Sequence, residues 1–208
     1  MNMVEYEKAI KRPFQDIKKL LIGSIIAIIP IANFIYSGYL LKAAENTMKK
    51  DNNLPEWEDW GNLFMAGIMA AIISFIYFIP AGIITIVAGT KIISALLAIN
   101  KAAMSSLDSS IGSWMIVFFL VMGITFLVLP MALLRFVDKG KFSAAFAFGD
   151  ILKKVFRGKY IIAWIIVGVY SIILMAILSI IPVAGTMIAA FITGITSITI
   201  FAEVYSEE

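Results

Sequence analysis

Four stretches of the sequence each run for more than 20 residues without a charged side chain. They cover residues 20–41, 63–90, 111–134 and 160–202. About 20 apolar residues in a helix cross a hydrocarbon core, inside which backbone polar groups must bond to each other. The pattern therefore predicts an all-α fold, a polytopic transmembrane helix bundle, organised as a single integral membrane domain over residues 1–208.

Composition excludes whole classes of function. Hydrophobic residues make up 61% of the chain and charged residues only 15%, which excludes a water-soluble domain and a nucleic-acid partner. The chain has no cysteine and no histidine, so thiolate nucleophiles, imidazole bases and Cys or His metal ligands are absent. We therefore expect no catalytic, cofactor-binding or metal site, and no enzyme. The first apolar run lacks a small-residue cleavage site, so we expect the N-terminus to be retained.

The longest run, residues 160–202, is predicted to form a transmembrane hairpin. It contains 43 residues, and as one helix it would be about 64 Å long, roughly twice the thickness of the hydrocarbon core. We place the turn at 182–185, because Pro182 cannot continue a helical hydrogen-bond ladder and Gly185 can adopt a positive φ. This turn is expected to be extracytoplasmic.

The first run, residues 20–41, permits two interpretations. Pro30 and Asn33 copy the spacing of the second turn, and basic residues flank the run at Lys19 and Lys42. We favour a short hairpin that turns at Pro30 to Asn33. The alternative is one kinked transmembrane helix, in which case Pro80 becomes a further turn and the chain has six spans.

Three amphipathic segments are predicted to lie along the membrane surface. The first covers residues 1–19. The second, residues 91–110, is either an interfacial helix or an extra span with Lys91 buried. The third, residues 142–158, presents cations on its polar face, and we expect these to act as membrane-interface anchors that attract anionic lipid headgroups: Lys153, Lys154 and Arg157.

The distribution of Lys and Arg predicts the orientation. Five lie in residues 1–19, three in 42–62 and seven in 135–159, whereas only two lie in 91–110. The positive-inside rule then places the first three segments in the cytoplasm. We predict a multi-pass protein of the cell (plasma) membrane with both termini cytoplasmic.

The most distinctive string, residues 54–61, reads Leu-Pro-Glu-Trp-Glu-Asp-Trp-Gly. With Pro55 in the first turn of a helix, Trp57 and Trp60 would share one helical face, and both are predicted membrane-interface anchors. The acids between them would favour the positive end of that helix. The alternative is that they bind a divalent cation or a basic partner: Glu56, Glu58 and Asp59.

Two weaker patterns concern repetition and packing. The sequence aromatic, any, Asp or Asn, aliphatic occurs at 14–17, 60–63 and 148–151, which suggests an internal repeat. Small residues recur every four positions, which lets helices pack closely within the chain or in a homo-oligomer: Ala66, Ala70 and Ser74, then Gly185, Ala189, Thr193 and Ser197.

The string at 54–61, together with Pro13-Phe14, the Lys-Lys-Leu-Leu-Ile-Gly sequence at 18–23, the Pro30 turn and Gly-Tyr-Leu-Leu-Lys at 38–42, resembles a known family. It is the mostly archaeal, prokaryotic membrane family catalogued as domain of unknown function 4013. Members usually carry glycine at the position of Asn33. The resemblance implies a polytopic membrane protein and supplies no activity, substrate or catalytic residue.

Two classes of function remain open. The first is a structural, interaction or lipid-associated membrane module, with the bilayer, a second copy or another membrane protein as partner. The alternative is a transporter or channel for a neutral solute or lipid, suggested by helix breaks at Pro30, Pro80 and Pro182. Coupled ion transport is disfavoured because the apolar runs carry no ionisable group.

Overall fold

The computed structural model describes residues 4–98 and 101–207, and in these residues all regular secondary structure is helical. The α-helices are α1 (Tyr6–Lys11), α2 (Ile17–Ile26), α3 (Asn33–Met48), α4 (Trp60–Ala98), α5 (Lys101–Lys139), α6 (Phe148–Val155), α7 (Gly158–Leu178) and α8 (Ala184–Ser206). Short 3-10 helices cover Arg12–Phe14 and Phe142–Phe146. The predicted all-α fold is confirmed.

Four helical segments are long and apolar enough to cross a membrane. They are Trp60–Lys91, Gly112–Lys139, Gly158–Leu178 and Ala184–Ser206. The shortest has 21 residues, about 31 Å of helix, which matches the hydrocarbon thickness. The protein is therefore a polytopic α-helical membrane protein.

The chain divides into two compact units. The larger unit comprises Met1–Ile73 and Pro130–Glu208, and the smaller unit is Ser74–Leu129. In the larger unit α8 is the central helix and contacts α1, α2, α3 and α7. Over half of its most apolar stretch, 56%, is buried, compared with 11% for α7. The side chains of α7 thus mostly face outward, as expected of a helix solvated by lipid.

Residues 20–41 form parts of two helices and not one kinked helix, because α2 ends at Ile26 and α3 begins at Asn33. Trp57 contacts both arms of this hairpin: its indole N–H donates to the Lys19 carbonyl oxygen over 3.2 Å, and its ring stacks on Tyr39. The ten residues of α2 measure about 15 Å, half of the hydrocarbon core.

The helix predicted over residues 1–19 is not continuous, because the structure divides the described part of this segment into α1, a 3-10 turn and the beginning of α2, while its interfacial placement stays a prediction. The division has a local cause. Asp16 is the N-cap of α2, which begins at Ile17, and its carboxylate accepts from the backbone N–H groups of Lys18 at 2.8 Å and Lys19 at 3.1 Å. A capping carboxylate starts a new helix at this point.

The turn between α7 and α8 corrects the role predicted for Gly185. The residue with positive φ is Val183, at 60°, whereas Gly185 lies in the first turn of α8. A Cβ at Gly185 would stand 1.8 Å from the Leu178 carbonyl oxygen. Glycine is needed here because two backbones approach closely, and not for its conformational freedom.

The long helix α4 contradicts the six-span alternative, because it continues through Pro80. Proline removes one backbone hydrogen bond from the helix, at a cost of about 3 kcal/mol. In lipid no water can replace backbone hydrogen bonds, so unwinding the helix further would leave more groups without partners.

Residues 91–110 are not a separate interfacial helix either. Their described residues extend the ends of α4 and α5, while 99–100 lie outside the described residues. In the smaller unit Lys91 Nζ lies 5.1 Å from the Trp114 ring centroid, a cation–π contact.

The predicted helix over 142–158 is also interrupted. A 3-10 helix and α6 replace it, with a break at Ala147. The buried residues explain the break: Ala145, Ile151 and Val155 all face the core, but a spacing of six residues between the first two does not fit one face of a continuous helix. The chain must reset its register to bury both.

Close helix packing in the larger unit depends on two glycines. A Cβ at Gly38 of α3 would lie 1.8 Å from the Leu63 carbonyl oxygen, and one at Gly67 of α4 would lie 1.7 Å from the Phe34 carbonyl oxygen. Glycine therefore permits the crossing of α3 and α4. In the sequence Gly38 was named only as part of the family motif at 38–42, and Gly67 was not named.

Candidate functional site: the charged end of the larger unit

Residues near both ends of the chain and the stretch from the end of α5 to the beginning of α7 meet at one end of the larger unit, which we call the charged end. The backbone N–H of Glu5 donates to the Glu203 carboxylate over 2.8 Å, and the Tyr205 hydroxyl donates to Asp138 over 2.9 Å. Lys159 also pairs with Glu207. These contacts place the three segments on a common side, while the predicted cytoplasmic orientation of that side stays a prediction.

The two tryptophans of the 54–61 string do not share a helical face. The helix α4 begins only at Trp60, because Asp59 adopts a positive φ of 54° and its carbonyl accepts from the first helical N–H groups. Trp57 therefore precedes the helix. Its ring stacks flat on Tyr39 with centroids 3.8 Å apart, and it lies 6.0 Å from the Trp60 ring.

These tryptophans have different environments. Tyr39 is completely buried beneath Trp57, whereas the Trp60 side chain is 45% exposed. Trp57 thus joins the arms of the α2 and α3 hairpin, and Trp60 faces outward. Their predicted role as membrane-interface anchors stays a prediction.

The neighbouring acids act locally. Glu56 pairs with Lys19, whose ammonium lies 2.7 Å from the carboxylate, and Asp59 accepts from the Asn62 side chain over 2.6 Å. Among the residues that the structure describes, no three acidic side chains are arranged to hold a metal ion. The acids border a cavity of about 610 Å³, which Lys42 and Glu45 also line.

The α6 helix separates its apolar side chains into two groups. Ile151 and Val155 pack into the core, while three others are exposed on the surface: Phe148, Leu152 and Phe156. The carboxylate of Asp150 pairs with Arg135, which ties α6 to α5. The helix is thus fixed to the bundle on one side and presents apolar surface on the other.

The three predicted basic anchors near α6 differ in position. Lys153 and Arg157 are exposed. Lys154 instead turns toward α8, where its ammonium donates to the Tyr205 carbonyl and lies 4.1 Å from that ring centroid. One Arg157 N–H donates to the Glu207 carbonyl over 2.7 Å.

The three copies of the suggested repeat have three different roles. Asp16 caps α2, Asn62 donates to Asp59, and Asp150 pairs with Arg135. The structure therefore gives the shared spacing no common function. The turn residues are more alike: Pro30 and Pro182 both lie in the turn of a helical hairpin, and Asn33 N–H donates to Ile29 as Gly185 N–H does to Ile181.

Arg12 is the site residue that sequence analysis missed. Only 1% of it is exposed. One terminal nitrogen donates to the hydroxyls of Thr47 at 2.6 Å and Thr199 at 2.7 Å, and the other donates to the carbonyls of Ala43 at 3.3 Å and Asn53 at 2.9 Å. No local signal reveals this burial, because Arg12 lies among other basic residues.

A family model described as "Protein of unknown function (DUF4013)" matches residues 21–183. Searches of curated proteins and of solved structures found no match. The family match includes the Trp57 and Trp60 string, the Pro30 turn and α4 to α7. It covers well over half of the chain, so the protein belongs to the DUF4013 family of proteins of unknown function.

Proposed function

We propose that the protein is a non-catalytic, lipid-associated membrane module that engages anionic headgroups through α6 at its charged end. The observation that supports this is the surface of α6 and of the two residues that follow it, where Phe148, Leu152 and Phe156 are exposed together with Lys153 and Arg157. Apolar rings insert at the boundary between acyl chains and headgroups. Each nearby cation adds about 1 kcal/mol of attraction to an anionic surface.

The way α6 is held supports the same function. Burial of Ile151 and Val155 and the pair between Asp150 and Arg135 fix the helix to the bundle. The helix is therefore ordered before lipid binds, so binding does not carry the conformational-entropy cost of ordering a free amphipathic peptide. Transport of a neutral solute is less well supported, because the helix break expected at Pro80 is absent.

The purified full-length protein in mild detergent tests the proposal. Anionic phospholipid should raise the thermal unfolding temperature more than zwitterionic phospholipid does. The double variant K153Q/R157Q should weaken apparent affinity for anionic lipid roughly 30-fold, since it removes two cations worth about 1 kcal/mol each. Tryptophan fluorescence during heating reports the transition.

Two matched variants serve as controls. K153R/R157K keeps both charges and should keep lipid binding, whereas K49Q/K50Q removes two exposed charges away from α6 and should have a smaller effect. Equal losses in K49Q/K50Q and K153Q/R157Q would show that only net charge matters. That result would remove α6 as the site.

A further inference from the structure

A second feature of the charged end is a cavity of about 240 Å³ beside Arg12. It lies between the N-terminal segment and α8. It is lined almost entirely by polar and charged residues: Lys8, Lys11, Arg12, Gln15, Asn52, Thr199 and Glu203. Arg12 lies outside the 21–183 region that the family model matches.

The buried guanidinium of Arg12 is not paired with a negatively charged group among the described residues. Its four hydrogen bonds all go to neutral oxygens, and its Nε–H has no hydrogen-bond partner in the described part of the chain. No carboxylate of the described residues lies within ion-pair distance of it. Burial lowers the pKa of Arg12, and nearby Tyr39, Asp51 and Glu203 partly offset this. Arginine nevertheless stays protonated, so the cavity borders a persistent positive charge.

The other charges around the cavity favour an anion. Lys8 and Lys11 pair with Glu5 and Glu7 along α1, but these are exposed surface pairs, which are weak and rearrange readily. The one carboxylate among the lining residues, Glu203, already accepts the backbone N–H of Glu5. Three cations therefore border a space that contains one carboxylate.

We propose that this cavity binds a phosphate group, either of a lipid headgroup or of free phosphate. Its volume is below the roughly 300 Å³ at which pockets for drug-sized molecules begin. Arginine and lysine side chains are the usual phosphate ligands in proteins. Binding of a lipid phosphate at this cavity rests on the proposed function, whereas binding of free phosphate does not. The cavity and α6 are separate surfaces of the charged end, so either site can fail without the other.

Binding of inorganic phosphate and of phosphatidylglycerol to the full-length, delipidated protein in detergent tests this site. Titration with inorganic phosphate at constant ionic strength, against chloride, measures the free anion. Native mass spectrometry with added phosphatidylglycerol measures the lipid. K8Q/K11Q alters exposed side chains and should fold normally. It should weaken binding of whichever probe the unaltered protein binds, phosphate or phosphatidylglycerol, at least tenfold. R12K keeps a positive charge but loses Nε–H, the one Arg12 donor that has no partner among the described residues, and should weaken binding as well.

The outcomes separate the two proposals. K49Q/K50Q, the matched control, should bind as the unaltered protein does. A loss in K8Q/K11Q but not in K153Q/R157Q supports the cavity, and the probe that binds more tightly identifies the source. If neither probe binds better than chloride, or if K8Q/K11Q binds both normally, the cavity is not a phosphate site. Lipid association through α6 is then untouched.

Discussion

Trp57 and Arg12 are two side chains that join distant parts of the chain by different means. Trp57 lies between α2 and α3 and stacks on the buried ring of Tyr39. Arg12 instead donates hydrogen bonds to α3, to the loop at Asn53 and to α8 at Thr199. The first contact is mainly apolar, so its loss is felt as lost packing. The second is a buried charge, so each missing acceptor leaves a costly donor.

Removing each tryptophan in turn should separate their roles. We expect Trp57→Ala to destabilise the protein by about 3 kcal/mol, since large core truncations cost this much. Trp60→Ala should cost less than about 1 kcal/mol, because that side chain is largely exposed. Thermal unfolding in detergent, followed by circular dichroism, measures both. An equal or larger loss in Trp60→Ala would show that membrane anchoring outweighs the Tyr39 stack.

Residue-level contacts of this kind mark the limit of prediction from sequence. The charge-free runs predicted the membrane helices because their cause, apolar length, is local. Arg12 could not be predicted, since Thr47 and Thr199 are 35 and 187 residues away along the chain. The partner of Trp57, Tyr39, belongs to another helix. Trp57 therefore stacks on Tyr39 and does not share a helical face with Trp60, although the spacing of the two tryptophans predicted that it would.

At the scale of the helices, four prolines in apolar runs have two outcomes. Pro30 and Pro182 lie in turns, whereas Pro80 and Pro130 lie inside helices. The next residue differs: isoleucine or valine follows the turn prolines, and alanine or methionine follows the others. Because β-branched residues have lower helix propensity than alanine and methionine, they favour ending the helix where proline has already weakened it.

The α7 to α8 turn contains a strained residue that can be relieved. Val183 has a φ of 60°, which costs a β-branched residue of the order of 1 to 3 kcal/mol and costs glycine little. Val183→Gly should therefore raise the unfolding temperature. Ile31, at the equivalent place in the first turn, is not among the residues with positive φ. Ile31→Gly is thus the matched control and should lower the unfolding temperature, and the same direction in both would contradict the strain.

On the scale of the molecule, the larger unit has a buried central helix and an apolar exterior. Many of its exposed residues are isoleucine, valine and phenylalanine, and they extend along α2 and α7. A water-soluble protein would expose polar groups there, whereas lipid solvates such a surface. Polar contacts concentrate instead at the charged end, where the segments richest in Lys and Arg lie together.

This concentration predicts the topology in cells. Residues 135–159 carry seven of the 17 basic side chains and 91–110 carry two, so the positive-inside rule places the former in the cytoplasm and the latter outside. The chain has no native cysteine, which makes single-cysteine labelling clean. An impermeant maleimide should label S105C in intact cells, and should label S143C and S206C only after permeabilisation. Ser143 and Ser206 are exposed in the structure, so a buried position would not explain a lack of labelling before permeabilisation. Labelling of S143C in intact cells would show that the orientation is the opposite of the predicted one, and that the proposed lipid and phosphate sites lie at the outer leaflet.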